Sequence, residues 1–129
     1  MGKYGDAAVK ATSLIRQAGY RPCDAWKTAT KRQFPTQKSA REKGCPRAAY
    51  LGLCEEGIVC GVARGNYTRS VLNKQYALEA VQLLCSDPSF ASDKNRLWKK
   101  ALKGEDKVEN GQMDIVLTLW QNRLIKCKT

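Results

Sequence analysis

Apolar residues along this chain recur every three or four positions, the spacing that keeps them on one face of a helix. Ala7, Ala8, Ala11, Leu14, Ile15 and Ala18 form the first stripe. They predict a helix over 6–18, with Asp6 as N-cap and Gly19 as stop. Tyr20-Arg21-Pro22 reads as a linker. Ala25, Trp26 and Ala29 predict a second helix over 23–34, with Lys27, Lys31 and Arg32 outward and Pro35 closing it. The polar, basic run QKSAREK at 37–43 reads either as a helical turn capped by Thr36 or as a mobile loop. Tyr76, Ala77, Ala80, Val81 and Leu84 predict a helix from Asn73, a plausible cap, to Cys85. Asp87 with Pro88 opens a short turn. Asp93 caps a helix over 94–102, with Leu97, Trp98 and Ala101 inward and Gly104 at its end. Asn110 is the cap expected for a last helix over 113–122, lined by Met113, Val116, Leu117 and Trp120. The tail from Ile125 to Thr129 is expected to fray.

Residues 44–70, GCPRAAYLGLCEEGIVCGVARGNYTRS, break this rhythm and hold three of the six cysteines and five of the ten glycines. Pro46 suits a first helical turn, where its missing N–H is no loss. Ala48, Ala49, Leu51, Leu53 and Cys54 continue a short apolar helix. Gly52 inside it costs about 1 kcal/mol against alanine, which points to close packing against another helix. Glu55 and Glu56 end the helix, where acids oppose its dipole, and Gly57 suits the left-handed position beyond it. They read either as a solvated helix end or as functional carboxylates. The β-branched run from Ile58 to Val62 has no evident partner strand, so it reads as a buried extended connector. The loop from Arg64 to Ser70 has the make-up of a binding loop. Gly65-Asn66 also reads as a plain turn and Tyr67 as a plug for the core.

These elements give an all-α fold: a compact single-domain bundle of about six short helices over residues 1–129, with an extended connector near 58–63. A length of 129 residues suffices for a real core. No apolar run approaches the roughly 20 residues of a membrane span, so no membrane association is expected. The opening Met1-Gly2-Lys3-Tyr4-Gly5 lacks the apolar centre of a signal peptide, which predicts a cytoplasmic protein. In that compartment Cys23, Cys45, Cys54, Cys60, Cys85 and Cys127 are expected to be free thiols. The chain has no histidine. A zinc site would then need four thiolates from scattered positions, so neither a metal nor a cofactor is expected.

A net charge of +11 changes the picture more than the rest of the composition does. The segment from Arg21 to Arg47 carries 8 basic and 2 acidic side chains. Such a surplus points to an acidic partner: nucleic acid, an acidic protein surface or a phosphorylated ligand. The candidate nucleic-acid or anion contacts are Lys31, Arg32, Lys38, Arg41, Lys43, Arg64, Asn66, Tyr67 and Arg69. A helical binder of polyanions is the first reading, though no recognition-helix signature is visible. A protein-interaction module, or a small-ligand module gripping a phosphate or acidic group through the arginine-bearing loop, is the second. In that loop Glu55 and Glu56 also read as an internal ion-pair network with Arg64 and Arg69. An enzyme is the third and least supported, because the usual general base and nucleophile partner is absent. Its reactive group would be Cys45, a thiol at a helix N-terminus facing the 64–69 loop. The alternative is a cysteine packed as a small hydrophobe. No catalytic residue is assigned. The three tryptophans sit in helical stripes and read as core.

The motifs KGCP at 43–46, AYLGLCEEG at 49–57, GNYTRS at 65–70 and NKQYA at 73–77 resemble a family of small bacterial proteins of unknown function. KYGDAAVKA near the start and LWKKALKGEDK at 97–107 fit the same family, so the resemblance covers most of the chain. It implies no activity and brings no catalytic residues. Lys31–Arg41 fits the family pattern least clearly.

Overall fold

Helix α1 spans Lys3–Ala18 and ends at Gly19, whose φ of 74° is left-handed. A computed structural model describes residues 2–127 of the chain. The elements that follow are α2 (Pro22–Gln33), α3 (Lys38–Arg41), α4 (Gly44–Glu55), α5 (Leu72–Ser86), the 3₁₀ turn η1 (Pro88–Ser92), α6 (Lys94–Ala101) and α7 (Gln112–Gln121). Among the described residues this is an all-α bundle of six helices of eight residues or more, plus the single turn α3. The connector from Ile58 to Val62 makes no sheet.

Helix α4 is the centre of the bundle. Pro46 and every residue from Ala48 to Cys54 are buried. A helix that is apolar on all sides has to be enclosed by others. Around it, Trp26, Leu84, Leu97, Met113, Ile115 and Leu119 complete one continuous core. Trp26 stacks on Tyr50 at 5.3 Å between ring centroids. Tyr76 meets Trp98 edge-on at the same distance. The tryptophans are therefore packing residues, with Trp120 half-buried against the core. At Gly52, α4 packs tightly against α5, since a Cβ there would stand 2.7 Å from Lys74 Cβ.

Several ends differ from expectation, each for a local reason. Helix α1 begins three residues before Asp6, which is exposed and caps nothing. The Asp114 carboxylate of α7 accepts the N–H groups of Gly2 at 3.1 Å and Gly5 at 2.8 Å, so the first turn is satisfied from another helix. Asn110 does not cap α7. One Glu109 oxygen accepts from Gly111 N at 2.7 Å and from Met113 N at 3.0 Å. Asn73 lies inside α5, and its Oδ1 accepts from Gln112 Nε2 of α7 at 3.0 Å. Helix α3 follows Gln37 rather than Thr36. Asp87 and Asp93 do cap η1 and α6, each accepting a backbone N–H with its side chain.

The largest correction concerns the tail. Val59 forms an isolated antiparallel bridge with Ile125. Cys60 N donates to the Leu124 carbonyl at 2.8 Å, and Lys126 N donates to the Ile58 carbonyl at 2.7 Å. The connector thus finds its partner in the segment expected to fray. Cys127 is bonded to Cys85 of α5 across 42 positions, with their Cα atoms 5.7 Å apart. Two of the six expected free thiols are therefore a disulfide, while Cys23, Cys45, Cys54 and Cys60 are free. Lys128 and Thr129 lie outside the described residues. No helix of the described residues is long and apolar enough to cross a membrane.

Candidate anion-binding surface

Positions 23, 26, 27, 30 and 31 follow the spacing of one helical face, so α2 carries Cys23, Lys27 and Lys31 beside the buried Trp26 and Thr30. Pro22 at the first position starts the helix at the point that puts this face toward α3 and α4. Arg41 and Glu42 from the end of α3, and Arg47 from the first turns of α4, close the other side. Together with Asp24 these residues line a recess of about 470 Å³. Four cations thus face two carboxylates around one hollow. Among the described residues none of Lys27, Lys31, Arg41 and Arg47 takes part in a salt bridge. Arg41 is anchored, with Nη1 donating to the Pro35 carbonyl at 3.2 Å. Thr30 is committed to the helix, its Oγ1 donating to the Trp26 carbonyl at 2.9 Å. Trp26 is 2% exposed, and its Nε1 has no hydrogen-bond partner among the described residues.

Of the sequence-derived contact residues, Lys31 and Arg41 meet at this recess. Lys38 lines a neighbouring hollow with Lys3, Phe34 and Thr36. Arg32 is exposed on α2 and Lys43 is exposed just before α4. Lys27, which the stripe pattern places outward, and Arg47, at the end of the basic segment, are not among the sequence-derived contacts. The i, i+4 spacing from Lys31 was the available signal for Lys27, whereas Arg47 has a signal only once α4 is packed beside α2.

Arg64, Asn66, Tyr67 and Arg69 lie apart from these, on the loop between the connector and α5. The end of α4 holds that loop. Glu55 Oε1 accepts from Tyr67 N at 2.8 Å and Thr68 N at 3.2 Å. Its other oxygen meets Lys74 Nζ at 2.5 Å, and Lys74 also reaches Glu56 at 2.8 Å. Burial alone would raise the Glu55 pKa, but the hydrogen bonds from Lys74, Tyr67 and Thr68 outweigh it and hold the carboxyl below its usual value. Its hydrogen bonds to Glu55 and Glu56 raise the Lys74 pKa against its partial burial. Arg64 approaches Glu56 at 3.8 Å. The carboxylate pair is thus an ion-pair clamp on the loop, with Lys74 on both carboxylates and the expected Arg64 on Glu56, while Arg69 joins no salt bridge among the described residues. Tyr67 folds back over Gly65 and donates its hydroxyl to the Ala63 carbonyl at 2.7 Å. Arg69 and Asn66 are exposed.

The thiol that meets this loop is Cys23, whose Sγ donates to the Tyr67 carbonyl at 3.4 Å. That contact joins the loop to the wall of the recess. Cys45 is half-buried in the first turn of α4. The loop clamp is at the far end of the same helix, about 15 Å along the axis at 1.5 Å per residue. Burial pushes the Cys54 thiol up to about 12, with the hydrogen bond to Tyr50 opposing and nearby Cys23 adding, so Cys54 is an inert core group. Among the described residues no three of Cys, Asp and Glu stand together as a metal-binding group.

No curated protein and no solved structure matches the chain significantly. A family model described as a family of unknown function (DUF6979) matches residues 1–126, and the chain belongs to that family.

Proposed function

We propose that this protein binds polyanions, with the phosphate backbone of nucleic acid as its partner, on the face built by α2, α3 and the start of α4. The observation that supports the reading is the set Lys27, Lys31, Arg41 and Arg47 around one recess, outside the salt bridges of the described residues. Four cations that outnumber the two carboxylates beside them, on a chain of net charge +11, concentrate anions at that face. Arg32, Lys38 and Lys43 extend it. Arg69 is exposed on a separate loop, which Cys23 and Tyr67 tie to the recess wall. Contacts of this kind are to phosphate and carry no base sequence information. Trp26 is covered by Tyr50 and offers no platform for a base.

A bacterial cytoplasm is the compartment we propose. The part-exposed free thiols Cys23, Cys45 and Cys60 suit a reducing environment, and the Cys85–Cys127 bond is the feature that weighs against it. No residue is assigned a catalytic role.

The test is fluorescence anisotropy of labelled duplex and single-stranded DNA across a salt series. The proposal expects log K to fall linearly with log salt, by about 0.7–0.9 per phosphate neutralised. Lys31→Glu and Arg41→Glu should abolish binding where Lys99→Glu, an equal charge change on α6, leaves it. Absence of binding at low salt overturns the proposal. Equal loss with Lys99→Glu would mean that net charge, and not this face, does the binding.

A further inference from the structure

The recess is concave, and a phosphodiester backbone runs along a surface. A phosphodiester in mid-strand carries a single charge. A terminal phosphate monoester carries about −1.5 to −2 at pH 7 and three acceptor oxygens. It is also the one phosphate of a strand that can enter a hollow end-on. The cations here come from three separate elements: Lys27 and Lys31 from α2, Arg41 from α3, and Arg47 from α4. They surround a recess of about 470 Å³, ample for a phosphate and the sugar behind it. Arginine forks pair two oxygens at once, which suits a group with three free ones. Asp24 and Glu42 also line the recess and repel any anion there, so an occupant is held only because the four cations outnumber them.

We propose that the α2–α3–α4 recess seats the terminal phosphate of a nucleic-acid strand, so that the protein prefers phosphorylated ends to strand interiors. This rests on the polyanion reading and adds the class of end group to it.

The test compares single-stranded oligonucleotides of one sequence with a phosphate or a hydroxyl at the terminus, by anisotropy at fixed salt. A parallel titration with inorganic phosphate follows the Trp26 indole N–H in heteronuclear NMR spectra, assigned with Trp26→Phe. The expected result is binding about tenfold tighter for the phosphorylated strand, the size of one charge-assisted contact. That advantage should vanish in a Lys27→Ala/Arg47→Ala variant with an unchanged fold by circular dichroism. Inorganic phosphate should shift the Trp26 signal in the wild type only. Equal, salt-sensitive binding of both strands, with no phosphate shift at Trp26, overturns the end-group proposal and leaves polyanion binding standing. No binding of either strand overturns both. Binding of a mononucleotide as tightly as the phosphorylated strand overturns the strand end as the source of the phosphate.

Discussion

The Lys74 ammonium of α5 meets the Glu55 carboxylate at the end of α4, and the same carboxylate holds Tyr67 and Thr68 through their backbone N–H groups. Side-chain exposures of 10% for Glu55 and 21% for Lys74 make this a largely enclosed cluster. The functional look of Glu55 and Glu56 in the sequence is thereby explained as loop anchoring.

Removing the Glu55 charge should therefore destabilise the protein in a pH-dependent way. Its native pKa is lowered, so its contribution is complete above the ordinary carboxylate value and lost as pH falls through the lowered one. The Lys74 pKa is raised, so its contribution is complete below the ordinary lysine value and lost as pH rises through the raised one. Between roughly pH 5 and 10 the pair's contribution is flat. Glu55→Gln should cost about 1–3 kcal/mol at pH 7 in urea unfolding. The difference from wild type should shrink as pH falls through the lowered carboxyl pKa and wild-type Glu55 takes up its own proton. A difference that keeps its pH 7 size throughout the acid range would remove the charge from the explanation.

Gly52→Ala tests the helix contact that brings Lys74 into place. Alanine gains about 1 kcal/mol in helix propensity. Against that, its Cβ would stand 2.7 Å from Lys74 Cβ and Cγ and 3.1 Å from Lys74 Cα. The Cα belongs to the α5 backbone and cannot swing aside, so overpacking of about 1–3 kcal/mol should win. The expected result is a lower denaturant midpoint with an unchanged slope. A midpoint at or above wild type would show that α5 shifts freely.

The helices were legible because their stripes are regular. Leu97, Trp98 and Ala101 are buried as their spacing requires, and Asp87 and Asp93 cap where their local sequences say. Satisfaction from a distance was not legible. Asp114 caps a helix more than a hundred residues earlier, and Ile125 pairs with Val59. Nothing within a few positions of Gly2 or Val59 announces those partners. The candidate site divides the same way. The basic surplus of Arg21–Arg47 was visible as composition, and Lys31 and Arg41 do share a recess. The placement of Arg47 there depends on how α4 packs beside α2.

Thr12 and Tyr50 make a buried pair whose two members are not equivalent. Thr12 Oγ1 donates its single proton to the Ala8 carbonyl at 2.8 Å. The Tyr50 hydroxyl, 2.8 Å from Thr12 Oγ1, is therefore the donor between them. Tyr50→Phe removes one hydrogen bond and leaves Thr12 with Ala8, at about 0.5–1.5 kcal/mol. Thr12→Val strands the buried Tyr50 hydroxyl beside the weakly bonding Cys54 thiol, at about 1–3 kcal/mol. Thermal unfolding should rank Thr12→Val as the more damaging. The reverse order would mean that Tyr50 has a better partner than Thr12.

The Cys85–Cys127 bond closes a span of 42 positions and ties the tail to α5. In the chain-entropy account a loop of this size restricts the unfolded chain by ~4 kcal/mol. The tail also keeps two backbone hydrogen bonds to the connector, Cys60 to Leu124 and Lys126 to Ile58. Those bonds are too few to hold it once the covalent tie is cut, since each contributes about 0.5–1.5 kcal/mol net. Reduction should therefore lower the melting temperature by about 10–20 °C and speed amide exchange at Cys60 and Lys126, while the helical signal is retained. Cys127→Ser should show the lower value with or without reductant. A wild-type melting temperature indifferent to reductant would show that the backbone pairing of Val59 and Ile125, and not the disulfide, keeps the tail in place.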